Sequence, residues 1–329
     1  MSERLPLVTV IIPARPGQSE IKAVAACRAL DYPKSRIEIT VARGKQPAIQ
    51  RNVALKCARG ELIYFLDDDS IPLPDNLRRA VSHFSNPAVK MVGGPAICPP
   101  DAPRLEQVYA IVLSSWLAFG PSRARYESVG RMRATTEKEL ILCNQLARRD
   151  ALLELGGFSE ALYPNEENAL MDELQKRGGK LLYDPEFIVY RRPRPTVNAF
   201  CKMLFNYGRG RAEQFRLNPT RGSVLNFVPP LFCLYLLSLP WLVTFAVSIA
   251  RDPALSLRLV LLPLLAYGWA VLAQTIYSAM GKGLRRSLSA LPFIVLTHLL
   301  YGFGFWRGLF TRLTKPADRP SIEVALERI

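Results

Sequence analysis

An α/β domain followed by a hydrophobic helical region is predicted by two contrasting patterns along the chain. Before residue 224, apolar strand-like segments alternate with amphipathic helical segments. After it come long runs without a charged residue. The alternation is typical of a Rossmann-like, mostly parallel sheet with helices on both faces, and the uncharged runs predict transmembrane helices.

The predicted sheet elements follow one another in strand–helix order. Strands are predicted at 6–13, 36–42, 61–67 and 89–97, and helices at 19–30, 47–58 and 73–84. Sheets of this kind bind ligands beyond the carboxyl ends of their strands. We therefore expect the functional residues at that edge.

Three uncharged runs make up most of the C-terminal region. They cover residues 224–250, 259–281 and 287–306, and as helices each can cross about 30 Å of hydrocarbon. The basic turn KGLRR at 282–286 is expected on the cytosolic side. A third full crossing would place the arginines at 307 and 312 outside, against the positive-inside tendency. Whether the third run crosses, re-enters or lies along the interface stays open.

Composition restricts the class of partner and the compartment. The formal net charge of +15 predicts an anionic partner, but the cations concentrate beside the apolar runs and no nucleic-acid-binding motif is present. Phosphorylated substrates and membrane lipids are therefore favoured over nucleic acid.

Six cysteines without a CxxC spacing predict reduced thiols, and the N-terminus lacks the pattern of a signal peptide, so the first domain is expected in the cytosol. With only His83 and His298, histidine-built metal sites are disfavoured.

The run Asp67-Asp68-Asp69 ends the third predicted strand. Adjacent carboxylates repel one another, so the fold alone gives little reason to collect them at the end of a buried strand. Two or three carboxylates there suit a hard divalent cation that takes oxygen ligands and bridges substrate phosphates. A solvated turn before a helix capped by Asp75 is the alternative.

Several ordered motifs resemble those of glycosyltransferase family 2. VTVIIPA at 8–14 and QRNVALKCARGELIYFLDDDSIPLPDNL at 50–77 are similar to the nucleotide-sugar half of that family. CNQLARRDALLELGGFSEALYPNEENALMDELQKRGGKLLYDPEFIVYRRPRP at 143–195 is similar to the acceptor half. FNYGRGRA at 205–212 resembles the membrane-associated succinoglycan and exopolysaccharide branch. The resemblance covers roughly residues 7–213 and implies a GT-A fold and glycosyl transfer from a nucleotide-sugar.

The resemblance implies a donor and metal site around the aspartates. Asp69, with Asp67, would hold Mg²⁺ or Mn²⁺ against the leaving nucleoside diphosphate, and Asp67 and Asp68 would also contact the donor. The other predicted donor residues are Pro13, Arg15, Arg43, Arg51, Asn52, Arg209 and Arg211. A solvated helix face is the alternative for Arg51, and contact with lipid phosphates is the alternative for the last two arginines.

Acceptor chemistry is implied for a second group. Glu167, in the pair Glu166-Glu167, would be the general base that takes the proton of the acceptor hydroxyl, with inversion at the anomeric carbon. Asn144 and Gln145 would contact the acceptor. Acids near a helix N-terminus are also stabilised by the helix dipole, which is the structural alternative for the glutamate pair.

Three positions depart from the family pattern. Ala42 and Arg43 stand where an acid usually holds the nucleobase, which makes Arg43 or Lys45 a candidate for phosphate contact. Residues 189–191 stand where many members have a histidine metal ligand. Glu167 replaces the commoner Asp, so its carboxyl lies one methylene further from the backbone.

The sequence thus predicts a membrane-bound inverting glycosyltransferase that acts on a lipid-linked or growing glycan acceptor at the cytosolic face. A polyprenyl-phosphate sugar synthase and a non-catalytic scaffold of a membrane glycan complex stay open as alternatives. The predicted divisions are a GT-A domain at 1–190, a basic interfacial segment at 191–223, a membrane domain at 224–312 and a polar tail at 313–329.

Overall fold

The computed structural model describes residues 5–162, 165–217, 219, 221–312 and 323–329. The chain divides into two compact units. The first, here called the sheet unit, comprises Met1–Ala102, Pro121–Arg192 and Leu313–Ile329. The second, the helical unit, comprises Pro103–Gly120 and Pro193–Arg312. The end of the predicted first domain lies close to the division at Arg192, but the described part of the predicted tail belongs to the sheet unit.

Two sheets are formed by the described residues of the sheet unit. Their strands are β1 Val8–Ala14, β2 Ile37–Arg43, β3 Leu62–Leu66, β4 Ile71–Pro72, β5 Val89–Gly93, β6 Ala96–Ile97, β7 Arg133–Thr135, β8 Asn144–Arg148, β9 Lys180–Tyr183, β10 Val189–Tyr190 and β11 Ala325–Arg328. The larger sheet has the order β11-β2-β1-β3-β8-β5-β9-β7, and the smaller has the order β4-β10-β6.

Strand direction makes the larger sheet mixed. β1 pairs in parallel with β2 and β3, as predicted, and β5 pairs in parallel with β9. β8 runs antiparallel between β3 and β5, and the edge strands β7 and β11 are antiparallel to their neighbours. The predicted α/β class is confirmed, but the alternation that indicated parallel pairing ends at residue 97, before the chain reaches the antiparallel strands.

The predicted strand at 89–97 is two strands in different sheets. β5 ends at Gly93 and β6 begins at Ala96. Between them, a Cβ atom at Gly94 would stand 1.9 Å from the carbonyl oxygen of Phe187. Only glycine allows two backbone segments to approach this closely. The chain therefore leaves the larger sheet at this point.

Eleven α-helices and four short 3₁₀ segments are described. The α-helices are α1 Lys22–Arg28, α2 Pro47–Cys57, α3 Asn76–Ser82, α4 Arg104–Leu113, α5 Trp116–Phe119, α6 Arg149–Glu154, α7 Glu166–Lys176, α8 Val197–Leu217, α9 Val228–Ser248, α10 Pro253–Lys282 and α11 Leu284–Phe310. The 3₁₀ segments are Lys34–Arg36, His83–Ser85, Gly120–Arg125 and Arg221–Phe227.

Both faces of the central strands are buried, which explains their continuous apolar runs. In β3, Leu62, Tyr64 and Leu66 face one hydrophobic core, and Ile63 and Phe65 face the other. Residues of α1 and α3 belong to the first core, and residues of α2, α6 and α7 belong to the second. The helical layers hold the sheet so that the carboxyl ends of β1, β2 and β3 meet at one edge.

The helical unit contains α4, α5 and α8 to α11. Among the described residues, three helical segments are long and apolar enough to cross a membrane: Val224–Ser248, Pro253–Lys282 and Leu284–Phe310. They coincide with the three predicted uncharged runs. The predicted basic segment contains α8, whose four cations are Lys202, Arg209, Arg211 and Arg216.

Candidate active site

The three aspartates lie directly after β3, as the sequence predicts. The turn is closed by the amide of Ser70, which donates to the carbonyl of Asp67 at 3.1 Å. The Ser70 hydroxyl in turn accepts from the Asp67 amide at 3.3 Å. The side chains of the run therefore emerge at the carboxyl edge of the parallel strands, where ligands of such sheets bind.

Two arginines hold the Asp67 carboxylate. Arg51 Nη2 donates to Asp67 Oδ1 at 2.9 Å, and Arg191 Nη2 lies 3.0 Å from Asp67 Oδ2. Arg191 also donates from Nε to Asp69 Oδ1 at 2.8 Å. The repulsion expected among adjacent carboxylates is thus offset by two guanidinium groups within the fold.

Arg51 extends this arrangement to the glutamate pair on α7. Its Nη1 donates to Glu166 Oε1 at 3.4 Å, and the Arg51 and Glu166 residues are only 5 % and 3 % exposed. The alternative of a solvated helix face for Arg51 is therefore wrong. A nearly buried guanidinium joins the end of β3 to the start of α7, which brings the predicted donor carboxylates and the predicted base together.

The two glutamates have different environments. Burial, and then the negative charge of Glu167, raise the pKa of Glu166 to about 8, although Arg51 acts in the opposite direction. Glu167 is half-buried, and its Oε1 accepts from Asn168 Nδ2 at 3.4 Å. The residue before them, Asn165, has φ of 98°, the one positive φ of a non-glycine residue among those described. This backbone conformation is rare for such residues and often marks a functional site.

Asp68 and Arg43 belong to a second network, at the ends of β1 and β2. Gln18 Nε2 donates to Asp68 Oδ2 at 2.6 Å, and Arg43 Nη1 donates to the carbonyl of Gln18 at 2.7 Å. Arg43 Nε also pairs at 2.6 Å with Glu327 Oε1, a residue of β11. Sequence reasoning missed Glu327, because nothing in the tail indicates that it pairs with β2.

The structure does not support an acceptor-binding role for Asn144 and Gln145. Both are fully buried in β8. Asn144 Oδ1 accepts from the Tyr64 hydroxyl at 2.9 Å, and Gln145 Nε2 lies 3.5 Å from Met171 Sδ. These two side chains face the protein interior, because β8 is a central strand whose two faces are both covered.

Asn52 is also engaged in the fold. Its side-chain amide donates to the Phe158 carbonyl at 2.9 Å and accepts from the Phe158 amide at 2.8 Å. The preceding Gly157 has φ of 85°, and a Cβ atom there would stand 2.4 Å from Asn52 Oδ1. Asn52 thus holds the Gly-Gly-Phe turn before α7, while its neighbour Arg51 faces the aspartates. A donor contact by Asn52 is not favoured by this geometry.

The other predicted donor residues fall in different places. Pro13 lies in β1 and Arg15 is exposed just after it. Arg209 and Arg211 lie on α8 of the helical unit, where Arg209 pairs with Glu213 at 3.4 Å and Arg211 donates to Gln214 at 3.2 Å. Donor contact by these four residues stays a prediction.

The aspartates fit a divalent cation under one condition. Carboxylate oxygens are the ligands that Mg²⁺ and Mn²⁺ take, and the Asp69 side chain is 43 % exposed. The described residues contain no group of three His, Cys, Asp or Glu side chains placed to hold a metal ion, so phosphate or water oxygens would complete the set. A cation that uses Asp67 Oδ2 and Asp69 Oδ1 together would have to displace Arg191, which contacts both oxygens.

Comparison with known proteins shows a family resemblance in the first part of the chain. Residues 19–156 match the sequence model of "Glycosyl transferase family 2". This part of the chain therefore resembles a glycosyltransferase family 2 domain. The chain is 25 % identical over 241 residues to a pre-mycofactocin glycosyltransferase of Mycobacterium tuberculosis, an alignment that covers 66 % of this chain and 49 % of the relative. It is 24 % identical over 205 residues to the succinoglycan biosynthesis protein ExoA of Rhizobium meliloti, with coverage of 62 % and 56 %. The chain therefore spans about half the length of these relatives.

A solved structure has a similar fold. The mannosyltransferase PcManGT from Pyrobaculum calidifontis, in complex with GDP-Man and Mn²⁺, superposes with a TM-score of 0.57 at 16 % sequence identity. The match covers 94 % of this chain and 88 % of the other. The predicted GT-A fold is confirmed by this likeness.

Replacing Glu166 by Gln is expected to flatten the pH dependence of stability. The folded state binds the Glu166 proton more tightly than the unfolded chain does, so the free energy of unfolding falls as pH rises from 4.5 to about 8. Melting temperatures of the detergent-purified chain between about pH 5 and pH 9 measure this slope. Glu154→Gln, the same change at an exposed position of α6, is the control and should keep the slope. An unchanged slope in Glu166→Gln would contradict the assignment.

Proposed function

We propose that this chain is a membrane-bound inverting glycosyltransferase that moves a sugar from a nucleotide-sugar to an acceptor held at the membrane. The observation that supports this most directly is the series Asp67, Arg51 and Glu166, joined by contacts of 2.9 and 3.4 Å. These contacts bring Asp67, a predicted donor carboxylate, and the acidic start of α7 into one site. A glycosyl transfer needs both, because one stabilises the leaving group and the other activates the acceptor.

On the donor side, Asp69 and Asp67 would hold Mg²⁺ or Mn²⁺ together with oxygens of the donor diphosphate. The ion, when bound, would neutralise the charge that develops on the diphosphate as the glycosidic bond breaks. Asp67 is oriented for this task by Arg51, which holds its Oδ1 atom. The structurally similar mannosyltransferase in complex with GDP-Man and Mn²⁺ is consistent with such a donor and ion.

On the acceptor side, Glu167 is the proposed base. Burial and the charge of Glu167 raise the pKa of Glu166 and so favour its protonated form, and Glu167 is the more accessible of the two. Glu167 would take the proton of the acceptor hydroxyl as its oxygen bonds to the anomeric carbon. The electrons of the breaking carbon–oxygen bond pass to the diphosphate on the opposite face, which inverts the anomeric centre.

The acceptor is proposed to be lipid-linked, of the polyprenyl type, or a growing glycan, with the catalytic domain on the cytosolic side. Helices long and apolar enough to cross a membrane support an acceptor that stays in the bilayer. A polyprenyl-phosphate sugar synthase, in which the lipid phosphate itself accepts the sugar, is the second candidate. The cations of α8 favour it, since guanidinium groups bind phosphate in a bidentate manner.

Asp69→Ala is expected to abolish metal-dependent donor binding while the fold persists. A thermal-shift panel of nucleoside diphosphates and their sugars, each with and without Mn²⁺, measures this. At 100 times its dissociation constant a ligand stabilises by about 2.7 kcal/mol, which is a visible shift. Asp31→Ala, at an exposed carboxylate paired with Arg78, is the matched control and should keep the full shift. Normal donor affinity in Asp69→Ala would remove Asp69 from the metal role.

Glu167→Gln is expected to bind donor normally but to turn over roughly 10²–10⁴-fold more slowly, because the amide accepts no proton. Single-turnover transfer to a polyprenyl-linked acceptor measures the chemical step. Glu173→Gln removes an exposed carboxylate from the same helix and should leave the rate unchanged. Near-normal turnover of Glu167→Gln would place the base elsewhere, and no nucleotide binding by the unmodified chain would favour the non-catalytic scaffold.

A further inference from the structure

The C-terminal strand determines how many times the chain crosses a membrane. β11 pairs with β2, with Ala325 opposite Arg43 and Arg328 opposite Thr40. Arg43 and Glu327 strengthen this edge, and the Ile329 amide donates to the Ile39 carbonyl at 3.0 Å. A sheet whose edge carries polar groups does not enter the hydrocarbon of a bilayer, so the whole sheet lies on one side of it. Because the chain leaves the sheet unit at Arg192 and rejoins it at β11, the helical unit must cross an even number of times.

α8 and α11 pack against each other along their lengths and in the same direction. A Cβ atom at Gly208 would stand 2.0 Å from the Tyr301 carbonyl oxygen, and one at Gly308 would stand 2.3 Å from the Arg209 carbonyl oxygen. Further on, Arg216 Nη1 donates to the Gly308 carbonyl at 3.1 Å. Residue numbers rise together in both helices, so they are parallel. Small residues allow this close backbone approach.

This pairing excludes a crossing by α11. α8 carries four cations and the acid Glu213, and charged residues near the centre of a bilayer strongly disfavour insertion. If α11 crossed, its parallel partner α8 would have to cross beside it. Four successive crossings would also make the first and the fourth helix antiparallel, which contradicts the observed direction. Two crossings remain, by α9 and α10.

The contacts of α11 with α9 agree with this conclusion. Trp306 Nε1 donates to the Pro230 carbonyl at 3.0 Å, and Cys233 Sγ lies 3.7 Å from the Leu299 carbonyl, both near the start of α9. Farther along the α9–α10 hairpin, large apolar side chains are more than half exposed. They are Leu237, Trp241, Phe245, Leu255, Leu259 and Leu262. The apolar side chains of this half of the hairpin are thus available to contact lipid.

We propose that α9 and α10 alone span the bilayer, and that α8 and α11 lie together along its surface on the side of the sheet unit. The partner of this paired-helix surface is the lipid headgroup layer. The arrangement also accounts for the charges, because the cations around it fall on one side. They are Lys202, Arg209, Arg211, Arg216, Lys282, Arg285, Arg286, Arg307 and Arg312. Only Arg251 and Arg258 flank the opposite loop, as the positive-inside tendency requires.

Thiol labelling of the full chain in sealed vesicles of known orientation tests this topology. The native exposed Cys57 reports the side of the sheet unit. With Cys57, Cys98 and Cys201 changed to Ser, single cysteines are introduced by Arg251→Cys, Arg285→Cys or Glu323→Cys, all at exposed positions. A membrane-impermeant maleimide should modify the Arg285→Cys and Glu323→Cys thiols from the Cys57 side and the Arg251→Cys thiol from the other.

Two results would overturn the proposal. Labelling of the Glu323→Cys thiol from the side opposite Cys57 would mean an odd number of crossings. Labelling of the Arg251→Cys thiol from the Cys57 side would mean that the α9–α10 hairpin does not span the bilayer as proposed. Each variant is compared only after its melting temperature matches that of its parent, and Arg312→Cys, at an exposed position just after α11, reports the same side independently if Glu323→Cys weakens β11.

A different observation supports a second inference, which rests on the proposed function. Arg191 follows β10, and its guanidinium bridges Asp67 and Asp69 at 3.0 and 2.8 Å. Its backbone amide donates to the Ile97 carbonyl at 2.9 Å, which fixes the residue beside the smaller sheet. We infer that Arg191 competes with the divalent cation for these carboxylates, and that it is released toward the donor phosphates when cation and donor bind.

Mn²⁺ binding without nucleotide, measured by electron paramagnetic resonance, tests this competition. Arg191→Gln should bind Mn²⁺ roughly tenfold more tightly than the unmodified chain, because a positive charge in contact with the ligands is removed. It should also bind nucleoside diphosphate more weakly. Arg78→Gln, which removes an arginine from an exposed ion pair, should change neither affinity.

The outcomes separate this inference from the proposed function. If the unmodified chain binds Mn²⁺ and nucleotide together but Arg191→Gln shows no gain in Mn²⁺ affinity, the role of Arg191 is wrong and the proposed function stands. If neither protein binds Mn²⁺ or nucleotide under any condition, the proposed function fails as well.

Discussion

The guanidinium of Arg51, almost fully enclosed by protein, lies between the carboxylates of Asp67 and Glu166. A buried arginine is tolerated only when its charge is compensated, so the end of β3, the middle of α2 and the start of α7 are constrained to meet. Asn52, the next residue on α2, holds the turn that leads toward α7. One dipeptide thus organises both the charge and the backbone of the site.

Polar partners of this kind explain why three adjacent aspartates persist at the end of a buried strand. Asp67 is held by two arginines, Asp69 by one of them and Asp68 by Gln18. Each carboxylate is held by a residue that is distant from it in the sequence. The cluster is therefore preorganised around positive charge, and a cation or a phosphate that enters must exchange with those partners.

β11 connects the end of the chain to the site as well as to the sheet. Its Glu327 pairs with Arg43 at the end of β2, where the family pattern has an acid of its own. An acid is thus present at this edge, although it comes from a residue 284 positions away. In the proposed topology this strand requires an even number of crossings, which agrees with the observed packing of α11 on α8.

The sequence alone predicted what depends on local patterns: the first strands and helices, the position of the aspartates, the three apolar helices and the resemblance to glycosyltransferase family 2. These follow from periodicity, charge and motif order, which neighbouring residues share. Only the tertiary structure decided the roles of Asn144 and Gln145, the pairing of Arg51 and Arg191, and the place of β11. In the sequence, Asn144 and Gln145 look like polar residues of a binding site, but β8 lies between two other strands and both side chains are buried. Partners such as Arg43 and Glu327 are brought together by the closing of a sheet edge, and no local pattern records which distant strand will close it.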